Sequence, residues 1–274
     1  MNKLQFFAIK HPVIFVICFT FTWFVVLMVI TGILAQVFGR PFEDPITETI
    51  GRLLLTLGVV LLLRRFGWLK DSGVTRPGRW WVWLLALSSI IYYAWAGLYS
   101  FFGEAKISAS DLSLVPLNAY LTQAMVALSE EIAFRGLVLY TLMRAWRNTT
   151  RGLIGSVLLT SLFFALLHFI QVFSLNIPTV LFLILQTMLI AIWWGALVQS
   201  GGSIWPVVVI HFLGNCIVGI QSLSMPVVEP VILAYRQLLW FSIPLGILGL
   251  GLILWKGVDR NSIIKTKKSP VSPL

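Results

Sequence analysis

The chain has 274 residues, of which 58% are hydrophobic and only 11% are charged. In ordinary soluble domains about a quarter of the residues are charged. The composition therefore excludes an ordinary soluble domain and indicates an integral membrane protein. The net charge of +10 is accounted for by basic cytoplasmic loops and by contact with anionic lipid headgroups, and it does not call for a nucleic-acid partner.

Eight apolar stretches come close to the ~20 residues that a spanning helix needs, with only short linkers between them. We therefore predict an all-α polytopic membrane protein, one transmembrane bundle over residues 1–274 with a basic cytoplasmic tail at 256–274. The second stretch is the weakest, because Glu48 and Arg52 limit its continuous apolar part to 53–63; it either starts at the interface or shelters its polar end against neighbours. The predicted spans are 12–38, 46–63, 80–102, 117–143, 152–175, 178–199, 205–223 and 231–255.

The distribution of charge tests this count. Basic residues occur at the start of the chain, after the second and fourth spans and in the tail, while the loops on the other side are mainly acidic. By the positive-inside rule, this alternation predicts a multi-pass protein of the cell membrane with both termini in the cytoplasm.

Few ionisable or amide side chains interrupt the predicted spans, and such residues usually mark a functional site. Most of them lie in the fourth, fifth and seventh spans. Besides Glu48 and Arg52 of the second span, they include Glu130, Glu131, Arg135, His168, His211 and Asn215, together with Arg236 in the eighth span and some further amides.

Helical spacing divides the two adjacent glutamates into different roles. Glu131 and Arg135 are four residues apart with the glutamate first, the favourable order for an ion pair on one helix face. Glu130 points about 100° away from Glu131. We therefore expect Arg135 to hold Glu131 charged and Glu130 to remain free to take up a proton.

Two carboxylates and one arginine leave an excess negative charge, which His168 or His211 would have to balance. Counting 1.5 Å per residue places Glu130 and His168 near the same depth. His211 is only about 12 Å from Ser203 by the same count, so it reaches that depth only if its helix tilts or if the turn at 201–204 is buried below the surface.

These residues define a hydrolytic chemistry. A carboxylate and an imidazole that share a water can deprotonate it, and a second imidazole with an amide can donate hydrogen bonds to an oxyanion. His211 and Asn215, four residues apart, share a helix face for the second task. Phe164 precedes His168 by the same interval, so we expect the two rings to pack together. The implied reaction is hydrolysis of an amide bond within the membrane, with water as the nucleophile.

Three motifs resemble the CPBP family of intramembrane proteases in order and spacing: EExxxR at Glu130, Glu131 and Arg135, FxxxH at Phe164 and His168, and HxxxN at His211 and Asn215. That family includes type II CAAX prenyl endopeptidases of the Ras-converting-enzyme type and bacterial proteins linked to bacteriocin self-immunity. The resemblance covers 117–223, where the catalytic core would lie.

The resemblance implies specific roles for these side chains. Glu130 would act as general base with His168, His211 and Asn215 would form the oxyanion site, and Glu131 with Arg135 would support them. The substrate would be a lipidated or transmembrane peptide. No cofactor is required by the mechanism we prefer; a divalent metal such as zinc is left open by the histidines and glutamate, although the HExxH spacing is absent.

Other functions compete with the protease. The motif could be kept by a non-catalytic membrane partner or immunity protein as a structural network, or the Glu and His side chains could form the relay of a transporter. A rhomboid-type serine site is disfavoured because the segment at 201–204 reads GGSI, not GxSG, and the absence of aspartate from every predicted span excludes an aspartyl dyad.

Overall fold

The computed structural model describes residues 2–42, 44–102, 116–146, 149–224 and 239–255, and all regular structure within these ranges is helical. The predicted all-α class is therefore confirmed. We number the helices in chain order as α1 (Lys3–Lys10), α2 (Pro12–Phe38), α3 (Pro45–Arg65), α4 (Trp80–Phe102), α5 (Leu117–Glu131), α6 (Tyr140–Ala145), α7 (Thr150–Leu166), α8 (Ile177–Gly201), α9 (Trp205–Ser224) and α10 (Leu239–Trp255).

Two of these helices continue as other helix types. A π-helical segment, Ile132–Leu139, joins α5 to α6, and a 3₁₀ segment, Leu167–Phe173, extends α7. The predicted fourth span is thus one continuous rod from Leu117 to Ala145, but its middle is wound more widely than an α-helix.

Among the residues that the structure describes, four helical stretches are long and apolar enough to cross a membrane: Pro12–Phe38, Pro45–Arg65, Thr150–Phe173 and Ile177–Gly201. The second of these was expected to be the weakest span. As expected, it has the lowest mean hydropathy of the four. Its charged residues do not shorten the helix, however, because α3 runs through Glu48 and Arg52 without a break and is 21 residues long. Three shorter apolar helices are also present, in α4, α9 and α10, so the count of eight spans stays a prediction.

The start of α3 shows why the second span is longer than its apolar run. Asp44 caps the helix by accepting hydrogen bonds from the backbone N–H groups of Ile46 (3.0 Å) and Thr47 (3.1 Å). Pro45 occupies the first helical position, where its missing N–H costs nothing. The polar end of α3 therefore belongs to the helix and is sheltered by a neighbour, one of the two alternatives that the sequence left open.

Helix α1 was not predicted. Asn2 Oδ1 accepts a hydrogen bond from the backbone N–H of Gln5 (2.7 Å), and the helix ends at His11, directly before Pro12 opens α2. A short amphipathic turn of this kind lacks the length that marks a span.

The fourth span lies at the centre of the packing. Helix α5 packs against α3 and α9, helix α9 also packs against α4, and α7 packs against α8. The π segment is buried along its whole length. Phe134, Phe164 and Trp194 are buried around it, and Phe134 meets Phe164 edge to face with ring centroids 5.3 Å apart. The charged residues of α5 therefore lie inside the bundle.

A loop covers the turn that precedes α9. Ser203 and Ile204 in this turn are buried. Ser203 Oγ donates a hydrogen bond to the carbonyl of Arg76 (2.6 Å), and the Trp205 indole N–H donates to the carbonyl of Val74 (2.9 Å). The turn is therefore sunk beneath the loop that joins α3 to α4, and α9 begins inside the bundle.

Two glycines allow that loop to approach so closely. Gly73 and Gly78 have φ values of +84° and +81°, and a Cβ on them would lie 2.9 Å and 2.6 Å from atoms of Ser203. Residues other than glycine rarely adopt such positive φ values, and neither position has room for a side chain.

Candidate active site

Glu130 and Glu131 are the last two residues of α5, immediately before the π segment. Single-turn π-helical insertions are often found at functional sites, because the widened turn displaces side chains from the ordinary helical positions. Both carboxylates therefore lie where the helix changes its winding, a feature for which the sequence shows no pattern.

Glu131 is fully buried and paired with Arg135, as predicted. Arg135 Nη1 donates to Glu131 Oε1 at 3.1 Å, and Arg135 Nε lies 3.1 Å from Oε2. The guanidinium carbon of Arg135 lies 4.3 Å from the centre of the Phe164 ring, a cation–π contact. The i,i+4 spacing survives the π winding, and the pair is enclosed by aromatic side chains.

Glu130 is not the free carboxylate that the sequence predicted. Its Oε1 lies 3.2 Å from Nη1 of Arg52, which projects from α3 and also contacts Ser129 Oγ at 3.2 Å and Glu48 Oε1 through Nε at 2.8 Å. A second arginine therefore shares in balancing this carboxylate. Because Arg52 also pairs with Glu48, three carboxylates and two guanidinium groups still leave one negative charge, and His211 lies within 4 Å of both Glu130 and Glu131. The sequence did not predict the contact between Arg52 and Glu130, because helical spacing relates residues of one segment and these two are 78 residues apart.

His211 lies between the two carboxylates. Its Nδ1 is 2.8 Å from Glu131 Oε1, a hydrogen bond in which the imidazole donates, and its Nε2 is 3.8 Å from Glu130 Oε2. The ring is buried against Trp194, with centroids 4.9 Å apart. His211 thus reaches the two glutamates, and three of the four residues of the turn at 201–204 are buried, all except Gly202.

His168 approaches the same cluster from α7. It lies in the 3₁₀ segment, is half-buried, and has its ring edge to face with Phe164 at 5.6 Å, the packing predicted from the FxxxH spacing. It lies within range of electrostatic interaction with Glu130 and His211. Phe164 therefore contacts Arg135, His168 and His211 and is the common wall of the site.

Asn215 lies one turn beyond His211 on α9 and is half-buried. The structure thus brings five of the six predicted residues into one cluster and places Asn215 next to it on the helix of His211. Arg236 and the tail at 256–274 lie outside the described residues.

Several donor atoms of the cluster are already engaged by other side chains. One oxygen of Glu130 and both oxygens of Glu131 face guanidinium groups at 3.1–3.2 Å, and His211 Nδ1 is engaged by Glu131. In the part of the chain that the structure describes, no three or more His, Cys, Asp or Glu side chains are grouped so as to hold a metal ion. No step below depends on one.

A cavity of about 290 Å³ lies beside the cluster, between α6, α8 and the loop after α3. Arg135 forms part of its wall, but neither glutamate does. The cavity is therefore adjacent to the supporting pair, and neither Glu130 nor His211 lines it.

A cluster of ionisable glutamate, arginine and histidine side chains enclosed by apolar helices defines a class: a multi-pass membrane protein with a polar site built into its bundle. Residues 111–217 match the model of a family described as Type II CAAX prenyl endopeptidase Rce1-like. The match covers about two fifths of the chain and contains all three motifs. It confirms the resemblance to the CPBP and CAAX protease family, which is a family of hydrolases. Neither a curated protein nor a solved structure matches the chain.

Proposed function

We propose that this protein is an intramembrane endopeptidase that hydrolyses a peptide bond of a membrane-associated substrate by glutamate-activated water. The observation that carries the proposal is the placement of His211 between two carboxylates, with Nδ1 2.8 Å from Glu131 and Nε2 3.8 Å from Glu130. A carboxylate that fixes one nitrogen of an imidazole leaves the other nitrogen directed at the reacting atoms, as in other hydrolytic sites.

In this mechanism Glu130 takes a proton from a water molecule that His168 also orients, and the oxygen of that water adds to the carbonyl carbon of the peptide bond. The negative charge that develops on the carbonyl oxygen is stabilised by hydrogen bonds from His211 and Asn215. Collapse of the tetrahedral intermediate breaks the C–N bond. The proton held by Glu130 passes to the leaving amine, which yields a carboxylic acid and an amine.

Glu131 and Arg135 act on His211 in this scheme. As an imidazolium, His211 donates its Nδ1–H to Glu131 and has a second N–H, at Nε2, for the oxyanion. Arg135 keeps Glu131 ionised in a fully buried position, where an unpaired carboxylate would be very unfavourable. Glu131 therefore has a second task that the spacing alone did not predict.

The substrate follows from the family match and from the surroundings of the site. The cluster lies among helices with apolar outer surfaces, so a substrate reaches it from the membrane or from its interface. Peptides that carry a lipid, of the prenylated CAAX type, and single transmembrane peptides are the substrates to test. The cell-membrane location and the cytoplasmic position of both termini remain part of this proposal.

The deciding experiment uses the full chain purified in detergent and follows peptide cleavage by mass spectrometry. We expect cleavage by the wild type and a loss of about 10²–10⁴-fold in kcat for Glu130→Gln, the usual contribution of a general base. Circular dichroism and thermal unfolding of both proteins serve as the control for folding. Equal cleavage by the two proteins would eliminate the role proposed for Glu130.

A chelator arm tests the metal-free mechanism. Because both carboxylates face arginines and the proposed mechanism uses no metal, we expect EDTA and 1,10-phenanthroline to leave kcat within about twofold. Full inhibition that added zinc reverses would contradict the mechanism but not the hydrolytic function.

A further inference from the structure

Arg52 is a charged residue at a position where burying a charge is energetically unfavourable. It lies in α3, which is long and apolar enough to cross a membrane, and only 12% of its side chain is exposed. Ionisable residues in such helices are usually functional. Arg52 belongs to none of the three motifs and lies outside the matched segment 111–217, so the family resemblance assigns it no role.

Contacts on three sides fix the Arg52 guanidinium. Glu48 holds Nε at 2.8 Å from one turn earlier on α3, and Nη1 reaches both Ser129 Oγ and Glu130 Oε1 at 3.2 Å on α5. A forked guanidinium that spans two helices in this way fixes direction as well as charge.

The consequence falls on Glu130. Arg52 engages Oε1 of Glu130, whereas Oε2 is the oxygen that lies near His211 Nε2, 3.8 Å away. That separation is too long for a direct hydrogen bond, so Oε2 keeps its lone pairs for a reacting group. The other arginine, Arg135, differs from Arg52 because it lies 3.1 Å from both oxygens of its carboxylate, Glu131.

We infer that Arg52 is a positioning residue for Glu130, which anchors Oε1 and leaves Oε2 directed at the reacting water. The inference rests on the proposed function, because it assigns a role within the same reaction. It adds α3 to the active site, which the motifs place on α5, α7 and α9 alone.

The test measures kcat and KM for the peptide that the wild type cleaves, with the full chain in detergent. We expect Arg52→Gln to lower kcat about 10²-fold, the effect of misplacing a reacting group by about 1 Å, with KM within about threefold. Because Arg52 acts through Glu130, adding Arg52→Gln to Glu130→Gln should change the residual rate by less than about twofold. A purely structural role would instead lower both rates.

Arg40→Gln is the matched control. It breaks another i,i+4 pair of arginine and carboxylate, with Asp44 at 2.9 Å, at an exposed position before α3. Its kcat should equal that of the wild type. If Arg52→Gln does not fold, Arg52→Lys decides, because it keeps the charge but lacks the fork that reaches Glu48, Ser129 and Glu130 together. We expect a loss of about 10-fold in kcat with an unchanged melting temperature.

The outcomes separate the two proposals. No cleavage by the wild type, or equal cleavage by Glu130→Gln, overturns the proposed function. Cleavage by the wild type that is lost in Glu130→Gln, together with full kcat in Arg52→Gln or in Arg52→Lys, overturns the role of Arg52 and leaves the proposed function intact.

Discussion

Glu130 and Glu131 are neighbours in the chain, yet their surroundings differ in almost every respect. Glu131 is fully buried and is held by Arg135 and His211. The Glu130 side chain is 14% exposed, and Arg52 anchors one of its oxygens while the other lies 3.8 Å from His211 Nε2. A fully buried carboxylate held by two partners is a structural element, whereas a carboxylate anchored through one oxygen can still react through the other.

The paired variants Glu131→Gln and Glu130→Gln test most directly whether the two glutamates have different roles. Glu131→Gln leaves Arg135 buried without a counter-charge, so we expect a loss of about 3–5 kcal/mol in the free energy of unfolding. Glu130→Gln leaves Arg52 paired with Glu48, so its stability should stay within about 1 kcal/mol of the wild type.

Thermal unfolding of both variants in one detergent measures the difference. If both melt at the same temperature, burial does not distinguish the two carboxylates and the division into supporting and reacting groups fails. If Glu131→Gln folds and keeps its kcat, the role of Glu131 in orienting His211 is wrong.

The next prediction concerns His211, the residue shared by both carboxylates. Its depth depends on the loop that covers Ser203. Gly78→Ala puts a Cβ 2.6 Å from Ser203 Cβ at a φ of +81°. We expect a cost of about 1–3 kcal/mol from the backbone conformation and a further ~1–3 kcal/mol from displacing the turn.

Gly67→Ala is the matched control, because Gly67 has a φ of +69° but no neighbouring atom within 4 Å of the place that a Cβ would occupy. It should show the backbone cost alone and keep kcat, whereas Gly78→Ala should lose kcat as well, because His211 moves with α9. Identical losses in melting temperature and identical kcat values for the two alanine variants would show that the loop does not set the position of His211.

The parts of the site that could be predicted are those that lie within single helices. The Glu131–Arg135 pair and the packing of Phe164 on His168 follow from i,i+4 spacing, and both are confirmed. The membrane class and the all-α fold follow from composition and from the length of the apolar stretches.

The parts that could not be predicted arise from contacts between distant segments. Nothing in the surroundings of Arg52 in the sequence marks Glu130 as its partner, because that contact depends on how α3 packs against α5. The depth of His211 could be stated only as a condition, since it depends on Val74 and Arg76 covering the turn before α9. The π segment shifts backbone hydrogen bonds by one residue, a change that side-chain patterns do not record.

The smallest effect that we predict concerns Ser129, which contacts the arginine that anchors Glu130. Ser129 is buried, its Oγ accepts a hydrogen bond from Arg52 Nη1 at 3.2 Å, and it donates to the carbonyl of Val126 at 3.0 Å. Ser129→Ala removes one of three contacts of the guanidinium, so we expect a loss of about 0.5–1.5 kcal/mol in stability and a fall of less than about 10-fold in kcat.

Ser156→Ala isolates the part of this effect that belongs to Arg52. Ser156 is equally buried, and its Oγ donates to the carbonyl of Gly152 at 2.6 Å, so its removal should lower the melting temperature by a similar amount without changing kcat. If Ser129→Ala lowers kcat as much as Arg52→Gln does, the hydroxyl and not the guanidinium orients Glu130. If both serine variants keep full kcat, Glu48 and Glu130 alone suffice to hold Arg52, because an arginine fixed by two carboxylates has lost most of its rotational freedom before the hydroxyl contributes.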